Sequence, residues 1–349
     1  MDDKSRLPFP YEYREFEPEE KDEISKSMRS INSDYVRVGP KGYVVGRSFH
    51  RDAENIYNMP LRHDDIFVTS YQRSGTTWIQ EMVWLLANNL DYATAADTPI
   101  ARRYRFLELY MSFGEKWRTE FEKSLEDKIG KEKVLQLLEI MCNPVTDALS
   151  AAPTPRFIKS HLPLSLLPPP LLDTAKVVYV ARDPRDVAVS SYHHARLLDV
   201  IYGFFGTFKD YWNLFIKGLI LTPYFVHVKE AWEKRHHPNM LFLFYEELSK
   251  DLPATVQRVA NFLGKELTTE ELDRLCNHLS FESFKKNKSV NYDYLKECGL
   301  ASSDETFIRK GKVGGWRDYF DEEMTLEAER WMEDNLRDTD LRFPHLDKQ

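Results

Sequence analysis

The chain has 349 residues, 42% of them hydrophobic and 13% aromatic, which is ample for one large α/β domain or two smaller ones. Its formal net charge of -8 argues against a nucleic-acid surface, so we expect basic residues to act locally, inside a pocket. Three cysteines without metal-ligand spacing, a polar N-terminus and no apolar run near the ~20 residues of a membrane span favour a cytoplasmic protein with neither a metal site nor a membrane span.

Residues 1–60 are polar and turn-rich, and we expect them to form an N-terminal arm packed on the body. Residues 61–349 are expected to form a single domain, in which strand-like runs at 66–70, 156–160, 176–180 and 240–244 alternate with helical stretches. Strands and helices that alternate over long gaps indicate a parallel sheet. The predicted fold is therefore α/β, with a central parallel sheet flanked by helices and ligands at the carboxyl ends of the strands.

The first strand runs into a glycine-containing turn and a helix-like run at 76–86. The first amides of a helix lack intrahelical partners and favour negative charge. Gly75 permits close approach of an oxyanion, Arg73 adds a permanent cation, and Ser74, Thr76 and Thr77 add hydroxyl donors. We predict a P-loop-like phosphate-binding loop here, although the Gly-x4-Gly-Lys-Ser/Thr motif is absent. An ordinary strand-to-helix turn with a Ser/Thr cap is the alternative.

Residues 115–140 alternate charged and apolar positions at helical spacing, which predicts an amphipathic helix pair.

His161 follows the second predicted strand and is a candidate general base, because its unperturbed pKa lies near neutrality. Lys159 lies two residues earlier, on the same face of the strand. A structural role for His161 is the alternative. The other histidines are weaker candidates, since His193 and His194 fall in a predicted helix and positions 236–237 in a polar turn.

Residues 177–190 predict a strand, a turn capped by Asp183, and a helix. Arg182 at the strand end and Ser190 two turns along the helix could together bind a second phosphate. Arg185 and Asp186 are interpreted as solvating the turn. Near the C-terminus, the glycine-rich basic segment 307–316 could wrap a phosphate with its amides and cations.

In order and spacing, these segments resemble the cytosolic sulfotransferases, which move a sulfonate from 3'-phosphoadenosine 5'-phosphosulfate (PAPS) to a hydroxyl or amine and leave PAP. The resemblance runs from about residue 65 to the C-terminus, and more loosely through the arm. Within the family the chain is similar to insect sulfotransferases of the retinol dehydratase type, which share the Gln-Arg-Ser-Gly-Thr-Thr form of the loop.

The resemblance implies His161 as the general base, with Arg73 and Lys159 near the sulfonate. It also implies a set of cofactor-binding residues: Arg73, Ser74, Gly75, Thr76, Thr77, Trp78, Arg182, Ser190, Tyr245, Leu279, Phe281, Arg309, Lys310 and Gly311. In that set Arg182 and Ser190 hold the 3'-phosphate, and Trp78 and Phe281 enclose the base.

The chain departs from the family pattern at several points. Gln72-Arg73 stands where most members have Pro-Lys, and Leu279 replaces a polar residue. The segment after Trp316 lacks the Thr-Val stretch that many members use to dimerise, so a homodimer is expected to use a non-standard interface. The insertion at 115–140 is expected to form a helical lid over an apolar substrate.

The implied activity is sulfonate transfer to a hydroxyl of a small lipophilic acceptor such as a phenol, a steroid or a retinoid-like alcohol. Three alternatives stay open: elimination through a sulfonated intermediate, as in the retinol dehydratase type, an inactive nucleotide-binding protein, and an ATP-dependent kinase. The missing Gly-Lys-Ser/Thr motif argues against the kinase.

Overall fold

The computed structural model describes residues 6–29, 35–112 and 145–344, with a few isolated positions between 122 and 138. Most of the expected lid at 115–140 lies outside the described residues. Within it, Val134 and Leu138 are buried, and both are apolar positions of the predicted amphipathic helices.

The β-strands are β1 (Tyr13–Arg14), β2 (Tyr35–Val38), β3 (Tyr43–Gly46), β4 (Ile66–Ser70), β5 (Arg105–Phe106), β6 (Phe157–Ser160), β7 (Lys176–Ala181) and β8 (Met240–Phe244). The α-helices are α1 (Pro18–Ser25), α2 (Ala53–Tyr57), α3 (Thr76–Ala87), α4 (Tyr92–Asp97), α5 (Ile100–Arg103), α6 (Thr146–Ala151), α7 (Leu171–Thr174), α8 (Pro184–Leu197), α9 (Asp199–Tyr202), α10 (Phe208–Ile216), α11 (Tyr224–Glu233), α12 (Tyr245–Lys250), α13 (Leu252–Leu263), α14 (Thr269–Leu279), α15 (Phe281–Lys286), α16 (Tyr294–Glu297) and α17 (Glu322–Leu336). Among these described helices, none is both long and apolar enough to cross a bilayer.

The central sheet has the order β5-β6-β4-β7-β8, and each neighbouring pair is parallel. The predicted α/β fold is confirmed, and the four predicted strands agree with β4, β6, β7 and β8 to within one residue at each end. Both faces of the sheet are covered. Phe67 and Val177 face one core, whereas Val68 and Val178 face the other, which explains why these strands read as continuous apolar runs.

The described part of the N-terminal segment contains a small antiparallel sheet of order β1-β2-β3. Phe16, Ile24 and Val36 of this segment belong to the same core cluster as Phe67 of the central sheet. The segment therefore shares its hydrophobic core with the body of the protein. The boundary expected at residue 60 stays a prediction.

The connection after β4 leads to β5 and β6 on one side of it, whereas the connection after β6 leads to β7 on the other side. Such a reversal opens a crevice beside the carboxyl end of β4, and open α/β sheets bind their ligands at such a crevice. The loop at 71–75 and His161 follow β4 and β6 directly. Sheet topology thus brings the predicted anion loop and the predicted base to one place.

A buried ion pair fixes the opposite end of the same two strands. Arg156, just before β6, donates to Asp65, just before β4, through Nε (2.7 Å) and Nη2 (2.5 Å). The two side chains are 2% and 0% exposed, and Arg156 also donates to the carbonyls of Leu149 and Pro60. Because the Arg156–Asp65 pair is bidentate and the other guanidinium donors also have acceptors, it fixes β4 and β6 relative to each other.

Removing one partner of this pair leaves a buried cation unpaired. We expect Asp65→Ala to lower the free energy of unfolding by about 3 kcal/mol, measured from the urea denaturation midpoint. The matched control is Asp334→Ala, which breaks the exposed pair of Asp334 with Arg337 and should leave the midpoint unchanged. Equal midpoints for Asp65→Ala and the wild-type protein would contradict this role.

Candidate active site

The loop between β4 and α3 closes tightly because of Gly75. This residue has a φ of +102°, and a Cβ placed on it would lie 2.6 Å from Cδ2 of Tyr245. The hydroxyls of Ser70 and Thr76 join the strand end to the helix start at 2.6 Å. The twelve-residue helix α3 therefore begins directly at the crevice, with its unpaired amides at the site.

A cavity of about 1400 Å³ opens at this edge of the sheet. The sequence-predicted residues that line it are Arg73, Gly75, Thr76, Thr77, Trp78, Lys159, His161, Arg182, Ser190, Tyr245, Phe281, Arg309, Lys310 and Gly311. The structure thus brings together residues spread over most of the chain.

Two predicted site residues do not line this cavity. Ser74 is fully buried within the loop. Leu279 has a fully buried side chain in the core, and its carbonyl accepts a hydrogen bond from Nε1 of Trp78 at 2.8 Å. The contribution of Leu279 to the site is therefore to hold the Trp78 ring through its backbone.

His161 presents one ring nitrogen as a proton acceptor. Its Nδ1 lies 2.9 Å from the carbonyl oxygen of Ser70, which can only accept, so Nδ1 carries the proton and Nε2 keeps its lone pair. Burial, followed by the nearby charge of Lys159, holds the pKa of His161 well below its usual value of 6.5. The imidazole is therefore neutral at pH 7, the form that a general base requires.

Glu108 supports His161 from the turn that follows β5. Its carboxylate accepts from the backbone N–H of His161 and, at 2.9 Å, from the hydroxyl of Ser160. Burial raises the pKa of Glu108 to about 7. The sequence reasoning missed Glu108, because a two-residue strand gives no periodic signal and its partner lies 53 residues away.

Two further residues, which no sequence pattern indicated, fix the backbone carbonyl of His161. His227 donates from Nε2 to the carbonyl of His161 at 3.0 Å, and its Nδ1 lies 2.8 Å from the hydroxyl of Tyr179. Because Nε2 is the donor, Nδ1 accepts from the tyrosine. His161 is thus fixed through its amide, its carbonyl and its ring.

Lys159 places a cation beside the same histidine. Its Nζ lies 4.1 Å from the centroid of the Phe106 ring, and that ring meets the His161 ring edge-on at 5.3 Å. Burial lowers the pKa of Lys159 to about 8. The predicted cation and base therefore stand together across one aromatic ring.

Arg73 joins three elements. It adopts a φ of +67°, donates from Nε to the Ser190 hydroxyl at 3.1 Å and from Nη2 to the carbonyl of Phe307 at 2.8 Å. Its guanidinium also stacks on the Phe307 ring at 4.6 Å. Burial, together with the like charges of Arg182 and Arg309, lowers the pKa of Arg73. Cations crowded together under these conditions are stabilised by an anionic ligand.

The interpretation of Arg185 and Asp186 as solvated turn residues is wrong. Asp186 is buried and accepts from the amides of Gly314 (2.7 Å) and Trp316 (2.8 Å), which ties the basic loop to α8. Arg185 is also buried, pairs with Asp183 at 2.6 Å and stacks on the Trp316 ring at 4.0 Å. The predicted helix cap is confirmed, since Asp183 accepts from the Arg185 amide at 2.9 Å. The sequence around Asp186 gives no sign of its burial, because its hydrogen-bond partners lie 128 and 130 residues away.

The basic loop is fixed at a second point by Arg182, whose Nη2 donates to the carbonyl of Lys312 at 3.1 Å. The Arg182 guanidinium stacks on Tyr245 at 4.2 Å. Gly311 of the loop has a φ of +62° and lies so close to the Phe281 ring that a Cβ would overlap it. With the start of α3, this donor set of arginines, lysines and backbone amides suits a ligand with more than one anionic group.

Comparison with known proteins agrees with this geometry. A family model described as a sulfotransferase domain matches residues 63–340. Luciferin sulfotransferase of Photinus pyralis is 33% identical over 312 residues, which cover 87% of this chain and 80% of the relative. Sulfotransferase 1B1 of Mus musculus is 33% identical over 304 residues, which cover 86% of this chain and 92% of the relative.

Solved structures give the same result. Retinol dehydratase in complex with androsterone and the inactive cofactor PAP is 54% identical, with a TM-score of 0.91, over 97% of this chain and 99% of that one. The same enzyme in complex with retinol and PAP is 55% identical, with a TM-score of 0.91, over 97% of this chain and all of that one.

Two backbone amides of the basic loop donate hydrogen bonds to Asp186, so loss of this carboxylate should loosen the loop. We expect Asp186→Ala to release the loop and to speed tryptic cleavage after Lys310 and Lys312, because the variant leaves two loop amides without their acceptor. Cleavage is followed by mass spectrometry of the native protein under limited proteolysis. Asp318→Ala is the control, since Asp318 makes exposed ion pairs with the same lysines. Equal cleavage rates in the two variants would refute the anchoring role.

Proposed function

The chain belongs to the sulfotransferase family, and we propose that it sulfonates a small lipophilic alcohol, with His161 as the general base. It is a PAPS-dependent enzyme that transfers a sulfonate to a hydroxyl acceptor. Family membership sets aside the kinase and the inactive binding protein. One observation carries the residue assignment: His161, Lys159 and Arg73 line one cavity at the start of α3.

The proposed nucleotide end of the cavity contains the crowded cations. Arg182 and Ser190, with Arg309, Lys310 and Gly311, would hold the 3'-phosphate, and the amides of the loop before α3 would hold the 5'-phosphosulfate. Trp78 and Phe281, both in the cavity wall, would enclose the base. PAPS supplies the sulfonate on a phosphate leaving group. The density of fixed positive charge supports this assignment, since charge that develops on sulfonate and phosphate is stabilised by preorganised donors.

The proton in this scheme moves to Nε2 of His161. The neutral imidazole takes it from the acceptor hydroxyl as the oxygen attacks sulfur, and Lys159 and Arg73 stabilise the negative charge on the transferred group. Arg73 keeps the charge of the lysine expected at this position, and its forked donors already join Ser190 to the basic loop. Glu108 and His227 act through His161, by fixing its backbone.

The proposed acceptor end is apolar. The cavity lining includes the apolar residues Val145, Leu198, Ile201 and Ile220, and we assign them to this end. Such a wall suits a lipophilic alcohol, and the structures of retinol dehydratase with retinol and with androsterone support this class of acceptor. The lid at 115–140 and the homodimer stay predictions. The low cysteine content supports a cytoplasmic location.

The similarity to retinol dehydratase over 97% of the chain favours a second activity on allylic alcohols. After sulfonation, the C–O bond breaks and sulfate departs with its electron pair. A C–H bond of the resulting allylic cation then gives its proton to a base, and its electrons form a new C=C bond. The same cavity would therefore release a sulfate ester from an ordinary alcohol and a dehydrated product from an allylic alcohol.

Loss of the base should slow chemistry without loss of nucleotide binding. We expect His161→Ala to lower kcat about 100-fold, because general base catalysis contributes at least that factor. Turnover is measured with PAPS and a phenol, and PAP binding by calorimetry. His236→Ala, in an exposed turn, is the control. A His161→Ala variant with most of its turnover would remove His161 from this role.

The nature of the acceptor should decide the product. With PAPS and retinol we expect a dehydrated hydrocarbon, because the allylic cation is stabilised by conjugation. With a saturated alcohol of similar length we expect a stable sulfate ester. Mass spectrometry of both mixtures distinguishes the products, and a retinyl sulfate ester that persists in the enzyme reaction would argue against elimination.

A further inference from the structure

One face of α8 lines the cavity along its whole length. Asp186, Ser190 and His194 of α8, and Leu198 directly after its end, follow each other at intervals of four residues, and all four line the cavity. Asp186 contacts the basic loop and Ser190 contacts Arg73, so the start of this face lies at the cationic end. Leu198 belongs to the apolar wall. His194 therefore stands between the cations and the apolar end.

The ring of His194 has unused hydrogen-bonding capacity. It makes aromatic contacts with Phe307 and Tyr202, at centroid distances of 5.9 and 5.6 Å, and has no hydrogen-bond partner in the described part of the chain. The adjacent His193 differs, because its two nitrogens bind Glu305 at 2.9 Å and the Tyr319 hydroxyl at 2.6 Å. Burial, followed by the charges of Arg73 and Lys159, holds the pKa of His194 well below 6.5. His194 is thus neutral at pH 7 and presents a basic nitrogen.

We propose that His194 is the proton acceptor of the elimination step, the group that takes a C–H proton from the allylic cation after sulfate departs. This inference rests on the proposed second activity. The step is balanced: the C–H electron pair becomes the new C=C bond, the proton moves to the imidazole, and sulfate carries away the electrons of the C–O bond. Positive charge in a conjugated system is spread over several carbons, so the proton can leave from a carbon well away from the former hydroxyl.

The other buried basic groups of the cavity are already engaged, and the two remaining carboxylates of its lining, Asp97 and Asp147, are exposed to solvent. His161 holds the hydroxyl proton after sulfonation and cannot take a second one. Both oxygens of Glu108 accept hydrogen bonds, from the His161 amide and the Ser160 hydroxyl. Lys159, with a pKa of about 8, is mostly charged at pH 7. His194 remains as a neutral base on the side of the cavity toward the apolar wall.

The test uses His194→Gln, which keeps a polar side chain and removes the base. With PAPS and retinol, the hydrocarbon formed per PAP released should fall about 100-fold from the wild-type ratio, and retinyl sulfate or its water-captured product should replace it. With a phenol, which has no elimination step, PAP release should stay within about twofold. His63→Gln, an exposed histidine variant, is the control for both assays.

Each other outcome has a definite meaning. An unchanged hydrocarbon-to-PAP ratio in His194→Gln would overturn the role of His194 and leave elimination standing. Equal losses with retinol and phenol would show a structural role instead and also overturn it. A wild-type enzyme that releases PAP but forms only sulfate ester would overturn elimination together with the role of His194. Failure to release PAP with either acceptor would overturn the proposed function itself.

Discussion

Buried positive charge at the carboxyl edge of the central sheet is the constraint on which the rest of the site depends. Arg73, Lys159 and Arg182 meet there, and an anionic ligand would neutralise them, since the nearby carboxylate of Asp186 also accepts hydrogen bonds from two loop amides. The same charge keeps His161 and His194 in their neutral forms, because burial and neighbouring cations both disfavour imidazolium. One electrostatic arrangement therefore suits both the anion binding and the proton abstraction that we propose.

Each functional side chain in this arrangement is held by contacts from distant parts of the chain. His161 is fixed by Ser70 of β4, Glu108 in the turn after β5, and His227 of α11. The basic loop is held by Asp186 and by Arg182. Preorganisation of this kind is what makes charged donors effective during group transfer, because they do not reorient as charge develops.

The sequence predicts the parts of this site that depend on local patterns. Buried parallel strands are long apolar runs, the turn at Gly75 needs a positive φ, and Asp183 before Pro184 is a helix start, so all three were recognisable. The resemblance to the sulfotransferases supplied the residue roles beyond those patterns. Asp186, Glu108 and His194 carried no local signal, because their surroundings are created by tertiary contacts. Asp186 in particular looked like a surface charge, and only its remote amide partners give it a role.

If a bound anion compensates the crowded cations, proton linkage should reveal it. Calorimetry of PAP binding at pH 8, where the phosphates are already ionised, is run in two buffers of different ionisation enthalpy. Bound PAP should stabilise the charged form of Lys159, whose pKa is about 8 in the free protein, so we predict proton uptake by the wild-type enzyme. This uptake should be lost in Lys159→Gln. PAP binding without proton uptake in the wild-type enzyme would contradict this compensation of charge.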